Sequence, residues 1–435
     1  VAGAHVLDER KCVRAASTDH VRRDMHMEVA FFIPPTVGSR EELMQGLAGR
    51  RTDLYQRMLT DLTEIAQFMD EYGYFGMGFT EHHLSVEGMT LSNSPSMLGL
   101  YLGMQTQHLN FGALGYVLPV HDPLRVAAEV TMLDQMTQGR AFAGFARGVQ
   151  TRWINTMAQH RYSLADNITD PVRYDDDRRR LFYEHLEIIL KAWDNDTFSH
   201  KGDFWTIPAP KTAWPGQRMS REMGGRSLDA DGNLVEIGVA PAMYNRKRPL
   251  MFEPFSVSHK SIETAAANGL VPIGIMCDPQ IVSEQIDAAQ RGWEKAGVYT
   301  RRGEKLGFAR YMIVGETDEE AMEFAELAMF EWTYFFAQFG FNAVLARPGE
   351  DWKSIPSTIS EFIRRGILFC GSPDTVNRQL EAALRTMPVE YLWLFTANEL
   401  LPQAKMMKHL DLMTRKVLPN FTDRIGPNIH RKAAA

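Results

Sequence analysis

The chain has 435 residues, 45% of them apolar and 23% charged, with a formal net charge of −7. These proportions exclude a mostly disordered chain, and the acid excess with only short basic runs excludes a nucleic-acid footprint. Cys12, Cys277 and Cys370 are too dispersed for a disulfide framework or thiolate metal site, and no apolar run reaches the ~18 residues of a membrane span.

Residues 1–26 show no periodicity and read as a mobile extension, polar and basic, without the apolar stretch of a secretory signal. Met25 or Met27 is a candidate start, and a cytoplasmic location is expected. The first strand is Glu28 to Ile33, stopped by Pro34-Pro35. A helix follows over 52–72, where Leu54, Met58, Leu62, Ile65 and Met69 recur at spacings of three and four. Then come a strand over 74–79, a helix near 94–107, a strand over 109–118 and a helix over 123–137. Asp122 and Pro123 supply that last helix with an N-cap and a first-turn proline. Arg140 to Ala146 is a fourth strand, and a helix over 173–193 leads into an irregular stretch, 194–248.

The alternation then resumes with strand 249–253, helix 258–268, strand 270–275, helix 279–296, strand 305–314 and helix 317–338. After a second irregular piece, 340–370, come helix 373–386, strand 389–396 and a helix from 399 to about 416. Alternating units of this kind specify a parallel sheet, and eight strands with following helices suggest a closed (β/α)8 TIM barrel; an open doubly wound sheet is the rival. One barrel over 27–420 is expected, with insertions at 194–248 (after strand 4) and 340–370 (the strand 7–8 region) and a tail at 421–435.

Barrels handle ligands at the carboxyl ends of their strands. Those ends carry Glu81-His82-His83, Leu114-Gly115-Tyr116, Arg147-Gly148-Val149 and the Ser258 to Ser261 segment. Ser258 and Ser261 at a helix start form a ready anion site, to which Arg147 adds a charged hydrogen bond of about 1.5–3 kcal/mol. Taken singly, Ser258 is more often a plain cap and Arg147 a surface ion-pair partner. Glu81-His82-His83 lacks the further ligands of a metal site, so it reads either as a buried histidine bonded to Glu81 or as a proton donor or acceptor near neutral pH.

Three patterns are set aside. Gly73 to Gly78 mimics a dinucleotide fingerprint but lies before and within a strand. Asp229 to Asn233 begins like a calcium loop yet reads as a hairpin turn. The rings between Phe330 and Phe341 are core by default, with the lining of an apolar substrate pocket as the alternative.

The runs Glu81-His82-His83, Phe111 to Pro119, His121 to Arg125, Leu133 to Arg140 and Phe145 to Gly148 together resemble the bacterial luciferase-like flavin-dependent monooxygenases. Ser258 to Gly269 and Gly371 to Asp374 extend the resemblance over about 27–415. The resemblance implies a barrel that binds reduced FMN at the strand ends, commonly as a dimer. It implies that Arg147, Ser258, Ser261 and the backbone of Val149 hold the phosphate, and that His82 stands near the reactive edge of the flavin. Leu114-Gly115 would carry a non-prolyl cis peptide against the ring. The implied activity is a two-component monooxygenase, fed FMNH2 by a separate reductase, oxidising a small hydrophobic compound with O2 through a flavin C4a-peroxide. Two alternatives stay open: a deazaflavin-dependent oxidoreductase of the same superfamily, or a non-catalytic flavin-binding protein.

Overall fold

The computed structural model describes residues 26–159, 171–212, 214–396, 398–427 and 429. The expected extension therefore lies almost wholly outside the described residues. The strands in chain order are β1 (Glu28–Ile33), β2 (Gly76–Phe79), β3 (Asn110–Val117), β4 (Ala141–Ala146), β5 (His200–Lys201) and β6 (Thr206–Ile207). They continue with β7 (Leu250–Ser256), β8 (Val271–Gly274), β9 (Gly307–Val314), β10 (Leu368–Gly371) and β11 (Tyr391–Phe395).

Parallel pairing runs β1–β2–β3–β4–β7–β8–β9–β11 and returns to β1, so eight strands close a (β/α)8 barrel and the open-sheet rival is excluded. The join between β8 and β9 is short: only Ile273↔Gly307 and Gly274↔Phe308 are in register. Above it, the buried guanidinium of Arg310 donates to the carbonyls of Ile275 (3.3 Å) and Met276 (2.7 Å). The upper half of β9 pairs instead with β10, a strand inside the stretch read as irregular over 340–370.

The 52–72 helix forms as its stripe predicts, with Leu54, Met58, Leu62, Ile65 and Met69 all buried and Gly73 closing it in the left-handed region. Asp122 caps the helix Pro123–Met136 through the N–H groups of Leu124 and Arg125. Inside the barrel, Phe75, Phe142, Phe252, Tyr391 and Trp393 pack mostly edge to face, with centroids 5.3–6.2 Å apart. Each ring that leaves water contributes about 1.5–3 kcal/mol, so this layer is a solid floor and chemistry is confined to the rim above it.

The 194–248 stretch contains the β5–β6 hairpin, a helix at Gln217–Met223 and the turn at Asp229, where Asn233 N–H donates to the Asp229 carboxylate (2.8 Å). Its contacts run along the outer flank of the helices Pro123–Met136 and Pro171–Asp194: Trp205 Nε1 donates to His185 (2.7 Å), and Phe198, Ile207 and Met243 join that helical core. The insertion thus packs on the flank of the barrel. Residues 421–427, read as tail, build part of the floor instead: Thr422 donates to the Met27 carbonyl (2.7 Å) and Ile425 is buried. No described helix is long and apolar enough to cross a membrane.

Candidate active site

The carboxyl end of β2 divides its three functional residues by side-chain direction, because successive residues of an extended chain face opposite ways. Glu81 is 2% exposed and accepts three hydrogen bonds: from His83 Nε2 (2.8 Å) and His121 Nε2 (2.6 Å), and from Val117 N–H (2.7 Å). Burial alone would raise its pKa, but the two histidines and the backbone bond outweigh burial and hold it at about 2. The carboxylate is thereby a fixed brace between the ends of β2 and β3. Of the two histidines that follow Glu81 in the chain, the one bonded to it is His83, not His82.

His82 points the other way. Its N–H donates to the Ser92 carbonyl (3.0 Å), its ring lies 6.3 Å from Phe335, and its buried Nδ1 has no protein partner. Burial lowers its pKa to about 4. The expectation of a histidine titrating near neutral pH is therefore corrected: His82 is a neutral imidazole that offers a hydrogen bond, not a charge.

The Leu114–Gly115 peptide is cis, at the position expected. Glycines on the neighbouring strands make room for it. A Cβ at Gly144 would meet Leu114 Cα at 3.1 Å, and one at Gly78 would meet Leu114 Cδ1 at 2.2 Å.

Over the mouth lies the aromatic segment after β9. It breaks into a π-turn (Glu331–Phe335) and a 3-10 turn (Phe336–Phe339), which scatters its rings. Trp332 and Phe336 are buried, Phe335 faces His82, and Tyr334 and Phe339 are exposed. Below, Phe32, Phe255, Phe395 and Tyr311 form a continuous cluster, with Tyr311 stacked on Phe395 at 4.4 Å. The core reading holds for Trp332 and Phe336, while Tyr334 and Phe339 lie outside the core. Leu84, Val86, Val149 and Val257 add exposed apolar side chains on the loops after β2, β4 and β7, and Met157 adds one at the end of the helix Thr151–Met157.

The polar end lies between β4 and β7, which are neighbours in the sheet. Ser258 caps the helix His259–Ala267: its Oγ accepts from Ser261 N–H (3.1 Å) and lies 2.9 Å from Ser261 Oγ. Ser258 is exposed and Ser261 partly so, which leaves the positive end of the helix accessible to an anion. Arg147 meets Asp175 at only 3.7 Å, with both side chains more than two-fifths exposed, a pairing worth well under about 1 kcal/mol. Its guanidinium is therefore available to a ligand.

Sequence reasoning missed two groups here. Glu253 on β7 has a buried, unpartnered Oε2; burial raises its pKa to about 7, offset in part by the Ser256 hydroxyl (3.2 Å) and the Arg147 charge. Arg178, on the helix Pro171–Asp194, donates to the carbonyls of Arg147 and Gly148. Neither position carries a local signal, because both act through folds of the chain that spacing does not reveal. Among the described residues no cluster of three metal-ligating side chains occurs.

The barrel, the braced histidine end and the anion end define an enzyme of the luciferase-like class. The sequence model of the luciferase-like monooxygenases matches residues 27–390, and the chain belongs to that family. Among individual relatives, 2,5-diketocamphane 1,2-monooxygenase 1 of Pseudomonas putida is 22% identical over 329 residues, covering 73% of this chain and 81% of the relative. The oxygenating constituent of 3,6-diketocamphane monooxygenase from the Pseudomonas putida CAM plasmid, solved with FMN, superposes with a TM-score of 0.69 at 20% identity. That superposition covers 91% of this chain and 98% of the neighbour. A coenzyme F420-dependent tetrahydromethanopterin reductase from Methanopyrus kandleri shares the fold at a TM-score of 0.56 and 12% identity, covering 92% and 99%.

The residues present fit an FMN. The anion end suits a phosphate. The cis Leu114–Gly115 step and the ring cluster suit a flat heterocycle, and the orphaned Nδ1 of His82 is a polar atom that lacks a partner until a ligand arrives.

Proposed function

We propose that the protein is the oxygenase of a two-component, FMN-dependent monooxygenase, taking reduced FMN from a separate reductase and oxidising a small hydrophobic, cyclic or aromatic compound with O2. The observation that carries this reading is the pairing of an accessible anion end with an aromatic mouth into which one neutral histidine points. When bound, reduced FMN supplies the electrons that activate O2.

The chain's own residues do the rest. Arg147, Ser258, Ser261 and the Val149 N–H hold the phosphate. Leu114 and Gly115 support the ring, and the roof of Trp332, Phe335 and Phe336 excludes water, which strengthens every polar contact beneath it. His82 offers its Nδ1 edge to the reacting groups, with its orientation maintained by the neighbouring Glu81 brace. The diketocamphane monooxygenases named above support a cyclic ketone as first choice of substrate class, and the apolar rim supports a hydrophobic one.

The test is turnover with a flavin reductase, FMN and NADH under 18O2, across a panel of cyclic ketones and aromatic compounds. Incorporation of one labelled atom into product is expected; failure to bind FMN in either redox state would sink the reading. The F420-dependent neighbour keeps a hydride-transferring deazaflavin enzyme as the second reading, which titration with that cofactor separates from the first.

Arg147→Ala is expected to weaken FMN about 10- to 100-fold, the loss of one charged hydrogen bond, while riboflavin binding moves less than about threefold. Fluorescence titration measures both, and an unchanged FMN affinity would refute the phosphate assignment.

A homodimer is also proposed. Met97, Tyr101 and Met104 on the helix Pro95–Gly103 and its C-cap, with Met132 and Met136 on the adjacent Pro123–Met136, are exposed together. Such a methionine-rich face on a soluble enzyme marks a protein contact. Met97→Glu combined with Met132→Glu is expected to halve the mass seen by light scattering; a monomeric wild type refutes the proposal.

A further inference from the structure

Arg178 is a buried cation that has no counter-charge among the described residues. It stands on the helix Pro171–Asp194 and is 8% exposed, and no described carboxylate lies within ion-pair distance of it. The acids just before it on its helix lie against other cations: Asp175 loosely against Arg147 (3.7 Å), and Asp177 against Arg173 and Arg180. Tyr174 stacks beneath the guanidinium at 5.3 Å, and Nε has no partner. One nitrogen, Nη2, donates to two carbonyls, those of Arg147 (2.5 Å) and Gly148 (2.7 Å).

Those two bonds have a geometric consequence on the far side of the backbone. A trans peptide points its C=O and N–H in opposite directions. Drawing the carbonyls of residues 147 and 148 toward Arg178 therefore turns the N–H groups of Gly148 and Val149 away from it. Gly148 sits at φ +76°, the left-handed conformation that lets successive N–H groups converge into an anion-binding nest. Neither of these N–H groups donates to a described protein group.

We propose that Arg178 is the positioning residue of the phosphate site: it shapes the Arg147–Val149 turn into an N–H nest and supplies a buried positive charge behind it. The ligand class is a phosphate monoester, that of FMN. The proposal rests on the flavin reading above and adds a residue to it. Arg147 then faces the phosphate from the solvent side and Arg178 from the protein side, through the backbone.

The experiment measures dissociation constants of FMN and of riboflavin for the full-length wild type, Arg178→Gln and Arg178→Lys, with circular dichroism as the check on folding. Wild type is expected to prefer FMN at least about tenfold, the worth of one charged hydrogen bond. In Arg178→Gln that preference should fall to less than a third of its wild-type size, with riboflavin affinity within about twofold. A residue that merely stabilised the fold would weaken both ligands together, so equal losses overturn the proposal, as does a preference retained in full. If Arg178→Gln does not fold, Arg178→Lys is read in its place. Lysine keeps the charge but not the planar fork, so a reduced preference supports the role and an unchanged one overturns it. A wild type that binds FMN and riboflavin equally refutes the phosphate site itself, an outcome distinct from the failure of Arg178 alone.

Discussion

Replacing His82 by alanine is expected to leave FMN affinity within about threefold and to lower turnover roughly 10^2- to 10^4-fold, the range for a positioned proton donor or acceptor. The reasoning is local. The imidazole is held by burial and by its backbone bond to Ser92, while its Nδ1 meets nothing within the protein. Its pKa of about 4 carries a second expectation. Above pH 6 the ring is already neutral, so kcat should show no step between pH 6 and 8 that the His82→Ala variant lacks. A wild-type inflection near 6.5 that disappears in the variant would show that the ring titrates there. His82→Asn, which keeps a hydrogen-bonding edge but no basic nitrogen, should recover part of the loss if the contact rather than the proton matters.

The second large effect is expected at Glu81, and on stability. Glu81→Ala removes the carboxylate from two partly buried imidazole donors and from the buried Val117 N–H, which should cost about 3–5 kcal/mol. Glu81→Gln keeps one acceptor oxygen and should cost less. Urea titration at pH 7 measures both, and a change below about 1 kcal/mol in the alanine variant would show that the brace carries little. The pH dependence has a definite sign. The folded pKa of about 2 lies below the usual 4.5, so the contribution, about 3 kcal/mol, is complete above pH 4.5. It is lost as pH falls toward 2, and Glu81→Gln should flatten that acid limb of the stability curve.

The sequence carried most of the barrel because its strands and helices have different periods. The 52–72 helix is legible to the residue, since its stripe, first turn and terminal glycine all agree. β10 was not legible: Leu368–Gly371 is four residues long, and its pairing with the upper half of β9 is a property of the sheet, not of the strand. The aromatic segment from Phe330 failed differently. Its π and 3-10 turns have no single period, so no one face could be read from it.

The site divides along similar lines. Ser258 announces itself as a cap, and the sharp turn after β4 carries Arg147 next to its own glycine. Motif resemblance, not periodicity, placed the cis bond at Leu114–Gly115. What spacing could not supply was direction: which histidine after β2 faces Glu81 and which faces the mouth. Nor could it supply His121, which reaches the same carboxylate from forty positions away. Burial then decided the chemistry, since the identical side chain on the surface would titrate near neutral pH.

The short join between β8 and β9 bears on how such an enzyme admits bulky compounds. Two registered pairs close the ring there, and the next carbonyls up the wall, those of Ile275 and Met276, are satisfied by the Arg310 side chain in place of a strand. A side chain can pivot where a ladder must unzip. That join is the shortest in the ring and lies beside the aromatic segment after β9. The Ala309 amide, on the β8-facing side of β9 just above the last registered pair, should exchange with solvent ahead of those in the middle of β1–β3, marking that join as the compliant one.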